Sequence, residues 1–598
     1  MDNKIPKRNE VPEELTWNLS DIYKTNEDWE NDYESAKKEA DELQAAEGKF
    51  ALSADSLYDF LKGYESCISK IYKLYGYAEM KRDQDTADAE NQKLYARAQS
   101  LDVLISEKLS FVEPEILNLE EGKIEDYYKQ NEKLKYFKCL LDEIIRTKEH
   151  TLSKEMEMLL ASAGDMAESM QNAFSSLAYA DLKFPDTHDE KGDVIQLTNG
   201  RFVPLQMSEN REVRKEAFEK FYERYKSFAN TWASLYDGQV KKQIFYAKAR
   251  KYKSSYEAAV DRNNVSTTVC DNLINCVNKN LDKMHKYVKL RKKLLGYDEL
   301  HMYDVYASMV SDYKCKVSFE EAKAISLEAL KPLGDDYIKV LKEAYDNRWI
   351  DVVENEGKRG GAYSSGVYGV HPYVLLNWSD TLDDVFTLVH EMGHSMHTYY
   401  SNKAQSFFDS NYKIFVAEVA STTNEVLLLK YLLDKATSDK ERAYLINHFL
   451  ESFKGTLYRQ TMFAEFEKES NKMAEEGTPL TADTLSGLYM NLNKKYFGEE
   501  MISDPLIAYE WCRIPHFYYN FYVYQYATSF SASVAIADRI LKEGQKVVDD
   551  YKRFLRSGCT SDPVSLLKIA GVDLSTETPV QEALNVFEEY IELLFVEK

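Results

Sequence analysis

At 598 residues the chain exceeds the size at which a single hydrophobic core keeps growing, so at least two lobes are expected. Its 76 Lys and Arg against 100 Asp and Glu give a formal charge of −24, spread along the chain rather than held in one acidic tail, which argues against nucleic acid and anionic membranes as partners. Seven cysteines without a CxxC pair, an opening stretch 1–8 without a signal-peptide core, and no run near about 18 uninterrupted apolar residues predict a reduced, soluble, cytoplasmic protein.

With 12 prolines and 23 glycines, punctuation is sparse. Residues 27–48, 53–80 and 152–182 carry helical periodicity rich in Ala, Leu, Glu, Lys and Tyr, and the fold class is mainly α, multi-helical. One exception follows. Residues 194–197 and 202–205 read as strands around an Asn-Gly turn at 198–201, a hairpin that marks 186–207 as a connection between an N-terminal helical lobe, 1–185, and a catalytic lobe, 208–598. No repeat of roughly 30–45 residues suggests a solenoid.

The stretch 351–369 breaks the helical pattern with glycines at 360, 361, 366 and 369. Two readings are open: a mobile surface loop, or a place where another chain comes close to the backbone. Tyr373 to Leu376 form a short apolar strand. With Pro372 at its start it fits a sheet edge that could pair with an extended peptide, while full burial is the competing reading. A helix then begins near Ser379, where Thr381 and Asp384 have capping-box spacing, and Leu382, Val385, Phe386, Leu388, Val389 and Met392 follow at helical intervals.

That helix carries His390-Glu391-Met392-Gly393-His394. Imidazoles four residues apart lie one above the other and can share one metal ion, with Glu391 beside them as base for an attacking water. Zinc is the natural choice, because it takes neutral imidazole nitrogen and prefers four ligands. Gly393 costs about 1 kcal/mol relative to alanine in a helix, so a crossing helix or a substrate backbone is expected against it. Downstream, Glu418 is an acid in the apolar run 415–421, costly to bury unpaired, and a second helix returning after a turn at 401–403 or 409–411 makes it the third ligand. His397 shares the helical face, as a rival ligand or as a residue supporting the ligands or touching substrate. Asn424 and Glu425 are further candidates for support, Glu425 as acceptor from a ligating imidazole.

Near the C-terminal end, His516, Tyr519, Tyr522 and Tyr526 recur at three or four residues and predict one helical face. With 44 tyrosines in the chain, core packing competes with a role as donors to a developing oxyanion.

The motif 390–394 followed by 415–421 resembles the zinc site of oligoendopeptidase F, within the thimet oligopeptidase-like zinc metallopeptidases. Residues 358–366 and 372–378 are similar to that family's glycine-rich loop and the segment before its metal helix, 516–527 to its aromatic segment facing the zinc, and 17–23 to its opening. The resemblance implies a two-lobed zincin-type fold with a small β-element near the active-site helix, enclosing a deep channel that admits only short unstructured peptides. It implies one zinc ion per chain on His390, His394 and Glu418, and catalysis by Glu391, His516, Tyr519 and Tyr522. Substrate contacts are expected from Gly360, Gly361, Ala362, Tyr363, Gly366, Tyr373 and His397. The expected activity is hydrolysis of internal peptide bonds, with Glu391 assisting attack by water. A helical zinc exopeptidase of the carboxydipeptidase kind and a non-enzymatic helical peptide-binding protein are the competing readings. Oligomeric state is not legible.

Overall fold

The computed structural model describes residues 5–310, 313 and 315–596; part of the 1–8 stretch lies outside them. Among the described residues the chain is mainly helical with three small sheets. Its residues gather into two compact units, each discontinuous in sequence: Met1–Glu149, Lys314–Tyr431 and Ile536–Gly571 form the first, and His150–Tyr313, Leu432–Ala535 and Val572–Lys598 the second. All seven cysteines are free, and no described helix is long and apolar enough to cross a membrane.

In the first unit, the predicted helices appear as Asn26–Gln44 and Ala54–Gln84, each opened by a capping box from Thr25 or Ser53. Their apolar faces build a core around Trp29, Leu57, Leu61 and Leu74, onto which Val367, Tyr373 and Leu375 also pack. Those last residues belong to a three-stranded sheet and its loop. Tyr373–Trp378 lies in the middle, parallel to Ile350–Val353 on one side and antiparallel to Tyr363–Ser365 on the other. Of the two readings of residues 373–376, full burial holds and the edge position does not. Four consecutive buried residues, Tyr373 to Leu376, are the signature of a strand covered on both faces, and Pro372 precedes the ladder, where its missing N–H removes no bond. The two edges of the sheet are Ile350–Val353 and Tyr363–Ser365.

The helix Leu382–Ala404 starts where the capping box predicts: Thr381 Oγ1 accepts from the Asp384 amide at 3.2 Å, and Asp384 Oδ2 accepts from the Thr381 amide at 2.9 Å. It ends before 405–413, and Ile414–Lys435 returns, so the turn lies nearer the second of the two predicted positions. The two helices touch at Gly393. A Cβ there would sit 2.5 Å from Ser421 Cα and 2.7 Å from the Ala420 carbonyl oxygen, so the crossing helix, not a substrate, explains the glycine.

The second unit contains the hairpin, in a different register from the one expected. Val194–Gln196 pairs antiparallel with Asp186–His188 upstream. Asp189 makes the turn, its Oδ1 accepting from the amides of Lys191 at 2.8 Å and Asp193 at 3.0 Å, with Gly192 at φ 85°. Thr198 then caps a helix, Asn199–Gln206, accepting from the Arg201 amide at 3.1 Å. Threonine with three following amides to satisfy acts as a helix start, and the predicted strand 202–205 becomes that helix.

The close helix approach makes a prediction. Gly393→Ala must push backbone against backbone, and is expected to destabilise the protein by about 1–3 kcal/mol or more, read as a lower midpoint in denaturant unfolding; an unchanged midpoint would refute the contact.

Candidate metal centre

His390, His394 and Glu418 come together within the first unit. Because Gly393 lets the two helices touch, Glu418 on the returning helix comes opposite both imidazoles. Glu418 Oε2 lies 3.4 Å from His390 Nε2 and 3.5 Å from His394 Nε2, and the three potential ligand atoms all fall within 4.8 Å of one another. A tetrahedral ion with bonds of about 2.0–2.1 Å requires about 3.3–3.5 Å between ligand atoms. The donor set of two imidazole nitrogens and one carboxylate oxygen, all three residues partly exposed, therefore fits a metal ion.

Electrostatics agree. Burial disfavours a charged His390, yet its hydrogen bond to Glu425 and the charges of Glu425, Glu391 and Glu418 outweigh this and raise its pKa to about 9. Burial also opposes the ionised form of Glu418, but the hydrogen bond and charge of His394, then the charge of His390 and the Ser421 hydroxyl, hold it down to about 2. Ser421 Oγ donates to Glu418 Oε2 at 3.1 Å. Three carboxylates thus surround two imidazoles, a surplus of negative charge suited to a cation.

Glu391 is 7% exposed, and burial raises its pKa; the two imidazoles pull it down and Glu418 and Glu425 push it up. Glu425 bonds His390 Nδ1, leaving Nε2 turned to Glu418. Asn424 ties the helices together: its amide donates to the Val389 carbonyl at 3.0 Å, and its Oδ1 accepts from the Tyr337 hydroxyl at 3.1 Å.

His397 departs from expectation. It is 1% exposed, stacked on Tyr412 with ring centroids 3.7 Å apart and planes 3° off parallel, and flanked by Phe554. Burial, with the charge of His394, lowers its pKa to about 3, so it stays neutral. It is neither in the ligand cluster nor open to a substrate, because residue 397 is rotated from residue 394 toward Tyr412. Tyr373 is likewise fully buried, its hydroxyl donating to the Asn18 carbonyl at 3.1 Å, and the expected substrate contact is corrected.

The glycine-rich loop is pinned at several points. The Lys358 ammonium meets Asp351 at 2.7 Å with both side chains fully buried; Arg8 Nη1 reaches the same carboxylate at 2.8 Å. Arg359 pairs with Asp83 at 2.9 Å, and the Tyr363 hydroxyl donates to Asp83 at 3.1 Å, which turns that phenol inward. Asn377 donates to the carbonyls of Arg359 at 2.9 Å and Gly361 at 2.8 Å. Gly360, Gly361 and Gly366 are exposed and Ala362 partly so. Gly361 needs its φ of 86°, and Gly366 lies so near Thr398 that a Cβ would sit 2.4 Å from its Cγ2. Ser364 Oγ bonds Ser395 Oγ at 2.8 Å, joining the edge strand to the motif helix. Asn377, Asp83, Ser395 and Tyr412 were not singled out by sequence. Only Asn377, polar at the end of an apolar strand, offered a signal.

In the second unit, the segment 516–526 is not one helix. Pro515–Tyr518 is a 3-10 turn, Asn520 and Phe521 adopt φ of 59° and 53°, and the helix begins at Tyr524. The rings still gather: His516 lies 5.6 Å from Tyr519, 6.4 Å from Tyr522 and 6.0 Å from Tyr526 between centroids. These four are partly or well exposed, while Phe517, Tyr518, Phe521 and Tyr524 are buried, so the four are not core packing. Burial and the Arg459 charge lower the His516 pKa.

Comparison with known proteins gives one picture. The model of Peptidase family M3 matches residues 205–586, and that of Oligopeptidase F matches residues 115–184. Oligopeptidase PepF of Bacillus subtilis is 47% identical over 590 residues, covering 99% of this chain and 88% of the relative. The plasmid-encoded oligoendopeptidase F of Lactococcus lactis subsp. cremoris is 40% identical over 582 residues, 97% of each chain. The crystal structure of oligoendopeptidase-F from Enterococcus faecium superposes with a TM-score of 0.74 at 37% identity, covering 96% of this chain and 99% of that one. A crystal structure from Chlamydophila abortus reaches 0.94 at 37% identity over the whole of both chains.

Glu425→Gln removes the negative partner that orients His390. It is expected to weaken divalent metal binding by about 10–100-fold in a competition titration against a chelating dye; wild-type affinity would show that Glu425 does not serve the imidazole.

Proposed function

The chain belongs to peptidase family M3, and from that premise we propose that it is a zinc-dependent endopeptidase cutting internal bonds of short, unstructured oligopeptides in the cytoplasm. The observation that carries the metal is the pair of distances, 3.4 Å and 3.5 Å, from Glu418 to the two imidazoles. His390, His394 and Glu418 would hold the ion, one per chain. When bound, zinc supplies Lewis acidity, polarising the scissile carbonyl and making water a better nucleophile near neutral pH.

The protein's own groups account for the rest. Glu391, buried and with a raised pKa, is suited to take a proton from the attacking water and return it to the leaving amine. The free edge of Tyr363–Ser365 offers backbone donors and acceptors to an extended peptide, with Gly360, Gly361, Ala362 and Gly366 leaving room beside it. His516, Tyr519 and Tyr522 are assigned to the developing oxyanion, supported by the family resemblance and by their exposed rings; the lowered pKa of His516 keeps it a neutral donor. Glu425 and Asn424 hold the ligands in place. Free cysteines support the reducing compartment, and family membership sets aside a non-enzymatic peptide-binding protein.

Cleavage of a mixed peptide pool, with metal content measured on the same sample, should stop on chelation and return with zinc. Products from peptides blocked at both ends should arise from internal bonds; terminal dipeptides alone would identify an exopeptidase. Glu391→Gln is expected to retain metal while losing about 10²–10⁴-fold in kcat. Full activity in that variant would refute the base.

A further inference from the structure

The aromatic segment of the second unit is bent by two residues in a backbone shape their side chains disfavour. Asn520 and Phe521 sit consecutively at φ 59° and 53°, and for a ring as bulky as phenylalanine the left-handed region is an outlier. The bend decides which side chains meet. His516 and Tyr519 come before it, Tyr522 and Tyr526 after it, and the return of the chain brings the later two rings to 6.4 Å and 6.0 Å from His516 between centroids. In an unbroken helix, residues 516 and 526 would be separated by about 15 Å along the axis.

Left-handed backbone persists at non-glycine residues only where the surroundings over-determine it. Three side chains of the second unit do so, each from a different place in the chain. Gln239, on the helix Ala229–Ala249, donates from Nε2 to the Tyr518 carbonyl at 3.1 Å. Arg262, just after the helix Ser255–Asp261, donates from Nη2 to the Asn520 carbonyl at 2.7 Å. Glu467, on the helix Arg459–Glu475, accepts from the Phe521 amide through Oε1 at 2.7 Å. Phe521 is itself buried, its ring 5.2 Å from that of Tyr256.

Glu467 is the costly member of the three. It is 1% exposed, its Oε2 has no partner, and burial pushes its pKa up to about 8 against the pull of the Phe521 amide and the Arg262 charge. Taking a carboxylate out of water costs more than one backbone hydrogen bond contributes, so the bond does little for stability. What it fixes is the direction of the chain at Phe521, between the two pairs of rings.

We propose that Glu467, together with Arg262, is a positioning residue for peptide hydrolysis: the two hold the left-handed turn at 520–521 and so keep His516, Tyr519 and Tyr522 gathered as donors to the developing oxyanion. This rests on the peptidase reading and on the role assigned to those rings. The rings supply the donors, while Glu467 and Arg262 set their spacing. Loss of either should therefore slow the chemical step rather than weaken peptide binding.

The test uses the full-length, zinc-loaded protein and one peptide blocked at both ends. Glu467→Leu removes the acceptor and is expected to lower kcat about 10–100-fold with KM little changed, the pattern of misplaced oxyanion donors. Glu467→Gln keeps an oxygen for the Phe521 amide and should restore most of the loss. In folded Glu467→Leu protein the His516 ring, whose pKa burial and the Arg459 charge lower, should titrate by NMR closer to an ordinary histidine, a shift that reduced stability alone does not produce. Arg262→Met, at a more exposed position, should lower kcat in the same direction and decides the matter if Glu467→Leu does not fold. Wild-type kcat in both Glu467→Leu and Arg262→Met, beside a loss in His516→Ala, overturns the positioning role and leaves the peptidase reading standing. An equal loss in Glu467→Gln and Glu467→Leu overturns the hydrogen bond as its cause. Wild-type kcat in His516→Ala overturns the assignment of the rings and the positioning role with it.

Discussion

The metal centre depends on a contact that contains no metal ligand. At Gly393 the motif helix lies against the backbone of Ala420 and Ser421, with no room for a single methyl group. Only that approach lets a carboxylate three residues before Ser421 reach two imidazoles on the neighbouring helix. Asn424 fixes the same crossing from the next turn by bonding the Val389 carbonyl, so the spacing of the helices is held by a steric stop and a polar tie. The helix penalty of glycine is the cost of the geometry.

Around that crossing, charge is arranged in layers. The two imidazoles face Glu418 on one side, and Glu425 takes the second nitrogen of His390. Beyond them the chain turns apolar: His397, on the same helix, is neutral and sandwiched by aromatic rings. The field that favours a cation is thus confined to one end of the helix face. A second set of ion pairs, Asp351 with Lys358 and Arg8 and Asp83 with Arg359, does different work, holding the glycine-rich loop in a shape that its own sequence does not impose.

Much of this was legible in the sequence wherever the deciding interaction is local. The Thr381 and Asp384 cap, the i and i+4 histidines and the acid in an apolar run each depend on neighbours a few positions away, and the helices and the ligand cluster follow. The open and mistaken readings share the opposite character. Pro372 signals a strand start, but whether a strand lies at the edge or the centre depends on Ile350–Val353 and Tyr363–Ser365 finding it. Thr198 has the same spacing to its neighbours as a turn or as a cap, and Asp189, nine residues earlier, decides. The periodicity of His516, Tyr519, Tyr522 and Tyr526 correctly grouped four rings but implied a helix, because left-handed backbone at Asn520 and Phe521 leaves no trace in a hydrophobic pattern. For His397 the sequence left ligand, supporting and substrate-touching roles open, and its burial is set by Tyr412 and Phe554, residues outside any motif.

The discontinuity of the first unit has a consequence for biosynthesis. Residues up to Glu149 belong with 314–431 and 536–571, and Arg8 meets Asp351 across 343 positions of sequence. At about 5–20 residues per second, a ribosome needs on the order of half a minute or more to deliver the last of these segments after the first has emerged. Until 367–375 is made, the faces of the early helices that pack against Val367, Tyr373 and Leu375 stay uncovered. The first unit is thus completed only when 536–571 has been read, with 150–313 and 432–535 of the second unit made in between.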